Sequence, residues 1–344
     1  MTSRGGPGMR RHAESAGRAE RVLGAIILAQ ALTLAVSGPT SSPEYLPLRV
    51  AEAEGYFAKE GLAVTLKTTR AEPGAAEALA QGQVDLAATS LEAILRFGPR
   101  TAKQAPRLVL GLTAAPPVAL VVAESQKELV RSLEHLAGTR VGITSPGAPE
   151  QAWLAWLLAR AGLSPGQVLL VSRGERGLSH AVETGDVHAA LLREPAASRL
   201  LAAGQARLLV DLRTPVAVRQ ALGAGTVNAA VFMRADRRVR DRELAAFHRA
   251  VLAAESRLAT ATAAELAERL SSSITVPSEE FQGRLEACRA LYLDDGAVTI
   301  AQVRETLTMI RAHVVLPATA LVPPPEELLY AVSRRAVKPA STAR

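Results

Sequence analysis

The chain has 344 residues, enough for two α/β lobes that each bury a hydrophobic core. Aromatic residues make up only 3% of the sequence, which argues against a pocket walled by aromatic rings for sugars or quaternary amines. The net charge is +7, yet 35 of the 40 basic residues are arginines scattered among acidic residues, and no nucleic-acid-binding motif accompanies them. We therefore expect no nucleic-acid partner.

The N-terminal segment has the three parts of a secretory signal. Residues 1–21 are polar and arginine-rich, residues 22–31 are apolar, and the run ends in the small-residue pattern Ala29-Gln30-Ala31. This predicts a signal peptide over 1–31 and a periplasmic protein, whose net charge falls from +7 to +4 as five arginines and two glutamates are removed. No cysteine follows the run, so no lipid anchor is expected. The alternative is an arginine-rich extension before the first strand.

From residue 32 onward, strands alternate with helices. Strands are predicted at 32–37, 62–67, 84–88, 108–112, 118–123, 140–144, 168–172, 189–192, 206–212 and 227–233. Helices are predicted at 47–57, 75–81, 91–97, 150–161, 177–184 and 196–203, and the chain is mainly helical from 241 to 312. This order predicts an α/β fold with mostly parallel sheets flanked by helices.

Two segments resemble each other. Residues 78–93 and 181–196 both consist of a helix, a glycine, a buried strand and polar residues at the end of that strand. Two similar lobes would give this repetition. Ligands of open α/β sheets bind beyond the carboxyl ends of the strands, so two facing edges predict a cleft with a binding site.

Four blocks carry a family resemblance, at 42–66, 78–95, 133–168 and 185–214, and they include GYFAKEGL, LAGTRVGITSPG and REPAA. In this order they resemble the substrate-binding proteins of ABC importers of the nitrate, sulfonate and taurine type, which include binders of thiamine-pyrimidine precursors. The resemblance covers most of residues 32–235. One departure is Gly38, where many relatives carry an aromatic residue.

The resemblance implies a two-lobed periplasmic-binding-protein-like fold of type II. We expect the first lobe to comprise residues 32–118 and 230–335, the second lobe residues 119–229, and a basic tail residues 336–344. It also implies a small anionic or polar ligand (a sulfonate, nitrate, taurine or a thiamine-pyrimidine precursor) and partners in the form of a permease and an ATPase. The protein is expected to be a monomer.

Candidate ligand residues of the first lobe follow its strands. Ser37, Gly38 and Thr40 lie in the loop after the first strand, where small residues let a ligand approach the backbone. The pair Thr89-Ser90 ends another strand and has two interpretations, ligand contact or a helix cap. Thr113 is a weaker candidate of the same kind. An ordinary turn between strand and helix is the alternative for the first loop.

The second lobe contributes Thr144, Ser145 and Gly147 at the start of a helix, where free N–H groups favour an anion. Simple helix capping is the alternative, and no phosphate-binding Gly-Lys-Ser/Thr sequence follows. Glu194 at the end of a strand is a candidate acceptor for a ligand amine, with a solvated or ion-paired glutamate as the alternative. The adjacent Arg193 is a candidate partner for an anion.

Catalytic and metal-binding motifs are not found in the sequence. The six histidines lack metal-ligand spacing, no G-x-S-x-G motif occurs, and the single cysteine, Cys288, allows neither a disulfide nor a multi-cysteine metal site. We therefore expect a binding protein without a cofactor and not an enzyme. The alternatives are an enzyme on the same fold, resembling pyrimidine-precursor synthases or menaquinone-precursor dehydratases, and a ligand sensor for a membrane partner.

Overall fold

The computed structural model describes residues 31–330 except Gly147, Arg238, Thr275 and Asp294. The strands are β1 (Ala31–Val36), β2 (Ala63–Thr68), β3 (Leu86–Ser90), β4 (Pro106–Thr113), β5 (Val118–Ala123), β6 (Arg140–Ile143), β7 (Leu169–Ser172), β8 (Ala189–Arg193), β9 (Ala206–Asp211) and β10 (Ala229–Arg234).

The helices are α1 (Leu46–Ala53), α2 (Tyr56–Lys59), α3 (Glu72–Ala80), α4 (Leu91–Phe97), α5 (Pro149–Arg160), α6 (Gly174–Glu183), α7 (Ala196–Ala202), α8 (Pro215–Leu222), α9 (Asp241–Thr260), α10 (Ala263–Arg269), α11 (Ser278–Cys288), α12 (Ile300–His313) and α13 (Pro325–Leu328). A 3₁₀ turn at Pro43–Tyr45 precedes α1.

Two five-stranded sheets form two lobes of the same topology. The strand order is β2-β1-β3-β10-β4 in the first lobe and β7-β6-β8-β5-β9 in the second. One strand of each sheet, β10 or β5, runs antiparallel to both of its neighbours, and the other four share one direction. The predicted two-lobed α/β fold is thereby confirmed, with mixed sheets. The two similar sequence segments supply β3 and β8, which occupy the same place in their sheets.

The reversed strands have a simple origin. The chain leaves the first lobe after β4 and enters the second through β5, and it returns after β9 through β10. Each reversed strand is therefore the one that follows a crossing between lobes. The predicted domain boundaries near 118 and 230 lie beside these crossings and stay a prediction.

Hydrogen bonds tie the two crossings together. The Thr226 hydroxyl donates to the Ala114 carbonyl at 3.0 Å, and the Asn228 amide donates to the Thr113 hydroxyl at 3.1 Å. Helix α12 also contacts this region, since the Thr306 hydroxyl accepts from the Val227 amide at 2.9 Å. Helix α12 packs against α5 of the second lobe as well, so it contacts both the crossing and that lobe.

Two local features differ from the sequence prediction. The helix predicted over 47–57 is divided into α1 and α2 because Gly55 has φ of 68°, in the left-handed region that ends a helix. Helix α8 was not predicted, although Thr214 caps it by accepting from the Ala217 amide at 3.0 Å and Pro215 occupies its first turn.

The ends of the chain bear on the export prediction. Residues 1–30 and the predicted tail 336–344 lie outside the described residues, and Ala31 is the first residue of β1. Within the described residues, no helix has the length and apolar character needed to cross a bilayer.

Candidate functional site

The carboxyl ends of strands from both lobes meet at the cleft between them. Arg193, the last residue of β8, donates a hydrogen bond to the Glu44 carboxylate, which lies in the turn beyond β1. This ion pair joins the second lobe to the first across the cleft. The Coulomb interaction with Glu44 raises the pKa of Arg193, so its guanidinium stays charged.

The loop after β1 forms the first-lobe wall of the cleft. Gly38 has φ of 71°, and a β-carbon there would lie 2.6 Å from the Ser42 hydroxyl oxygen, so a side chain would be obstructed. The Ser37 hydroxyl donates to the Ala88 carbonyl at 2.8 Å and is thus bound internally. In contrast, the buried hydroxyl oxygens of Thr40 and Ser41 have no hydrogen-bond partner among the described residues.

Glu44 is held in a fixed position beside this loop. It lies in the 3₁₀ turn Pro43–Tyr45, whose Pro43 carbonyl accepts from the Tyr292 hydroxyl at 2.9 Å. One carboxylate oxygen, Oε1, binds Arg193, and the other, Oε2, is buried without a partner in the described structure. The site thus contains a fixed acceptor oxygen with free hydrogen-bonding capacity.

A second carboxyl group lies close by. Glu72, the first residue of α3, accepts from the Tyr45 hydroxyl at 2.8 Å and from the Ser90 hydroxyl at 2.6 Å. Burial raises the pKa of Glu72 to about 7, against the opposing effect of these two hydrogen bonds, and the charge of Glu44 raises it further. Glu72 therefore changes its charge near neutral pH.

The predicted residues Thr89 and Ser90 serve this carboxyl group and its helix. The Thr89 hydroxyl donates to the Glu72 backbone carbonyl at 3.1 Å. The Ser90 hydroxyl donates to the Glu72 carboxylate and also accepts from the Ala93 amide at 3.1 Å, as the cap of α4. The helix-cap interpretation is confirmed for Ser90, and ligand contact by the pair stays a prediction. The sequence did not indicate their additional partner, Glu72.

The predicted anion site in the second lobe has a different arrangement. The Thr144 hydroxyl donates to the carboxylate of Glu150, which lies in the first turn of α5 and is buried. The start of this helix therefore already holds a negative charge of its own chain, which satisfies its dipole. Ser145 is exposed, and Gly147 lies outside the described residues.

Glu194 is fully bound within its own lobe. It is only 2% exposed, and its carboxylate accepts from the Ser198 amide at 3.1 Å and the Ser198 hydroxyl at 2.9 Å. It also forms an ion pair with Arg213 at 2.8 Å. Arg213 in turn pairs with Asp211 at 2.9 Å. These partners match the ion-paired alternative for Glu194.

Thr113 lies at the crossing between lobes. Its buried hydroxyl accepts from the Asn228 side chain and from the Ala229 amide at 3.2 Å. The structure gives it a role in fixing β10 against β4.

A cavity of about 1000 Å³ opens beside this cluster, between α6 and α7 of the second lobe and α11 of the first. Its second-lobe wall includes Pro195, two residues beyond Arg193, and its first-lobe wall includes Arg284. Its size is that of a small-molecule site. The sequence prediction missed this opening, since helix periodicity does not show which helices of two lobes face each other.

Sequence reasoning missed three acidic residues, Glu44, Glu72 and Glu150, and Tyr45. Each acid lies beside a proline at the start of a helix or helical turn (Pro43-Glu44, Glu72-Pro73 and Pro149-Glu150), where an acid is a normal dipole partner. This ordinary pattern gave no reason to expect them in the cleft. The packing of the two lobes brings Glu44 and Glu72 near Arg193, and the fold of the second lobe brings Glu150 near it.

The fold and the interlobe cleft define a chain of the two-lobed periplasmic-binding-protein class. A family model described as "NMT1/THI5 like" matches residues 42–253, and the chain belongs to this family. The family resemblance inferred from the sequence blocks is thereby confirmed. A search of curated proteins finds no match to the sequence.

Three solved structures with the same fold illustrate the range of structural similarity and sequence identity. A protein from Bordetella bronchiseptica RB50 has a TM-score of 0.69 and 22% identity, over 89% of this chain and 96% of that one. The periplasmic aliphatic sulphonate-binding protein SsuA of Escherichia coli has a TM-score of 0.65 and 17% identity, over 88% and 92% of the two chains.

The periplasmic nitrate-binding protein NrtA of Synechocystis PCC 6803 has a TM-score of 0.58 and 16% identity, over 84% of this chain and 83% of that one. At these identities the likeness is one of fold. The two neighbours named for a ligand are solute-binding proteins and not enzymes, in agreement with the predicted class.

Proposed function

We propose that this chain is the substrate-binding component of an ABC importer. It captures a small solute in the cleft between its two lobes and delivers it to a membrane permease that works with an ATPase. The observation that carries this proposal is the set of buried polar atoms without partners on Thr40, Ser41 and Glu44, in the segment whose Glu44 also forms the ion pair between the two lobes. Such atoms cost free energy unless a ligand or water binds them.

The ligand class follows from the site and the neighbours. Sulphonate and nitrate are the ligands named for two structures of the same fold. The proposed ligand is therefore a small anionic or polar solute. The candidate classes are those predicted from the sequence: sulfonates, nitrate, taurine and thiamine-pyrimidine precursors. Among the predicted contacts, Gly38, Thr40 and Arg193 are kept, and Ser41 and Glu44 are added to them.

Location and assembly belong to the same proposal. A signal peptide over residues 1–31 would direct the protein to the periplasm, where it would act as a monomer and meet its permease. N-terminal sequencing of the protein from the cell envelope tests this directly. A chain that begins at Leu32 supports export, and a full-length chain in the cytoplasm contradicts it.

A thermal-shift screen tests the binding function. The full chain is heated with sulfonates, nitrate, taurine and pyrimidine precursors, and each stabilising compound is recovered and analysed after long incubation. A true ligand raises stability by mass action, by about 2.7 kcal/mol at a hundredfold excess over Kd. Recovery of that ligand unchanged supports a binding protein, whereas its conversion supports an enzyme on the same fold.

A further inference from the structure

Three buried polar atoms that lack a hydrogen-bond partner among the described residues lie within the short segment Thr40 to Glu44 of the first lobe. Glu44 is 5% exposed and Ser41 is 1% exposed. The Oε2 atom of Glu44 and the hydroxyl oxygens of Ser41 and Thr40 have no hydrogen-bond partner among the described residues. A carboxylate oxygen can only accept hydrogen bonds, so the group that completes this site must include a donor.

The charges around the cleft also limit which kind of group can bind to Glu44. Arg193 interacts with three carboxylates, Glu44, Glu72 and Glu150, which come from both lobes. One of its N–H groups donates to Oε1 of Glu44, so the positive charge of this guanidinium is shared among these carboxylates. A bare anion at Oε2 of Glu44 would lie against negative charge in a partly dry site, where repulsion is strong.

We propose that the solute, given the substrate-binding role proposed above, presents a protonated amine or another N–H donor group to Oε2 of Glu44. The hydroxyls of Ser41 and Thr40 complete the contact. A hydrogen bond from a charged donor to a buried carboxylate is among the stronger kinds in proteins. The remainder of the solute, which can be anionic, extends away from Glu44 toward the cavity beside Pro195 and Arg284.

Glu72 adds to the selection of a nitrogen donor. Its carboxyl group is coupled to Glu44, and its two hydrogen-bond donors, Tyr45 and Ser90, are both first-lobe side chains. A positive charge bound at Glu44 would favour the ionised form of Glu72 through the same coupling. The site thus gains negative charge when a cation binds.

Matched pairs of compounds test this assignment on the full chain by isothermal titration calorimetry. The pairs exchange an alkylamine for a hydroxyl: taurine with isethionate, and β-alanine with 3-hydroxypropionate. Nitrate is included as a plain anion. In every pair that binds, we expect the amine to bind roughly tenfold or more tightly, because a charged donor meets a buried acceptor.

Two variants locate the preference. Glu44→Gln keeps an acceptor for Arg193 but replaces Oε2 by an NH₂ group, and it removes the preference for the amine. Ser41→Ala keeps the carboxylate and weakens both members of a pair alike. The control is Glu92→Gln, since Glu92 is also buried and its carboxylate pairs with Arg96 at 2.6 Å. This control leaves the preference unchanged.

The outcomes separate the two proposals. Tighter binding of isethionate or nitrate than of any amine overturns the donor assignment and leaves the binding function in place. An amine preference that survives Glu44→Gln also overturns the assignment. Binding of no compound in either arm contradicts both proposals.

Discussion

The two walls of the cleft differ in how their polar groups are satisfied. On the second-lobe side, Thr144 is bound to Glu150, and Glu194 is bound to Ser198 and Arg213. On the first-lobe side, the hydroxyls of Thr40 and Ser41 and one oxygen of Glu44 have no partner among the described residues. Two lobes of the same topology thus present a completed polar surface and an incomplete one.

This difference indicates a division of roles. A wall whose polar groups already bind each other keeps its shape whether or not a ligand is present, because its hydrogen bonds do not depend on one. A wall with unsatisfied buried groups is stabilised when a ligand supplies the missing hydrogen-bond partners. We therefore expect the first lobe to recognise the solute, and the second lobe to close on it through Arg193.

The largest effect is expected at Glu194, on the completed wall. Glu194→Ala removes one of the two carboxylates that pair with Arg213, which keeps Asp211 and the Ser198 hydroxyl as partners. It also removes the acceptor of the two hydrogen bonds from Ser198. It should lower the free energy of unfolding by about 3 kcal/mol, since it breaks a buried ion pair and leaves the Ser198 donors without their acceptor. Urea denaturation measures this.

The matched control for Glu194 is Glu128→Ala, whose partner Arg131 is exposed like Glu128 itself. An exposed ion pair contributes about 0–1 kcal/mol, so little change is expected. Equal losses in the two variants would show that Glu194 has no special part in the second-lobe wall.

A smaller effect of opposite sign is expected at Glu72, on the incomplete wall. Because the pKa of Glu72 in the folded protein is raised to about 7, the folded state binds its proton more tightly than the unfolded state does. Its contribution to stability is therefore full at acidic pH and is lost as the pH rises through 7. Glu72→Gln should raise the free energy of unfolding by about 1–3 kcal/mol at pH 8 and leave it nearly unchanged at pH 4.

Denaturation at a series of pH values checks the Glu72 prediction. The control is Glu77→Gln, on the exposed side of the same helix, which should follow the wild-type pH profile. A Glu72→Gln profile parallel to that of the wild type would contradict the raised pKa.

The smallest effect is expected at Ser145, which is exposed at the start of α5. The helix start already holds the Glu150 carboxylate, so an added charge in the loop has no ligand to repel. Ser145→Asp should change stability by no more than about 0.5 kcal/mol. Its ligand affinity, measured by calorimetry, should equal that of the wild type. Loss of ligand binding in this variant would contradict this expectation and support the anion site that the sequence predicts there.

The sequence predicted the fold better than the site, for a physical reason. Strand and helix periods reflect local burial, so the buried strands β3 and β8 were recognised with their flanking glycines at 82 and 185. The partners of a polar side chain depend on packing over long sequence distances. Glu44 and Arg193 are separated by 149 positions, and no local pattern links them.

The same reasoning explains why individual site residues were interpreted differently. Thr144 and Glu194 follow strands β6 and β8, and each has a hydrogen-bond partner close in sequence, Glu150 six positions and Ser198 four positions away. Glu194 also binds Arg213, which is 19 positions away. Partners as close in sequence as Glu150 and Ser198 could be predicted, because a carboxylate or hydroxyl in the first turn of the next helix can reach the end of the preceding strand. The unsatisfied atoms at 40, 41 and 44 could not be found in this way, since their burial and lack of partners appear only in the folded structure.

Solution X-ray scattering on the full chain, with and without a stabilising compound, tests the central claim most directly. A solute that contacts Glu44 in the first lobe and Arg193 in the second binds only when the lobes are together, so it shifts the population toward the closed state. The account predicts a smaller radius of gyration on addition of the compound, and loss of this compaction in Glu44→Gln. Unchanged dimensions in the presence of saturating ligand would contradict it.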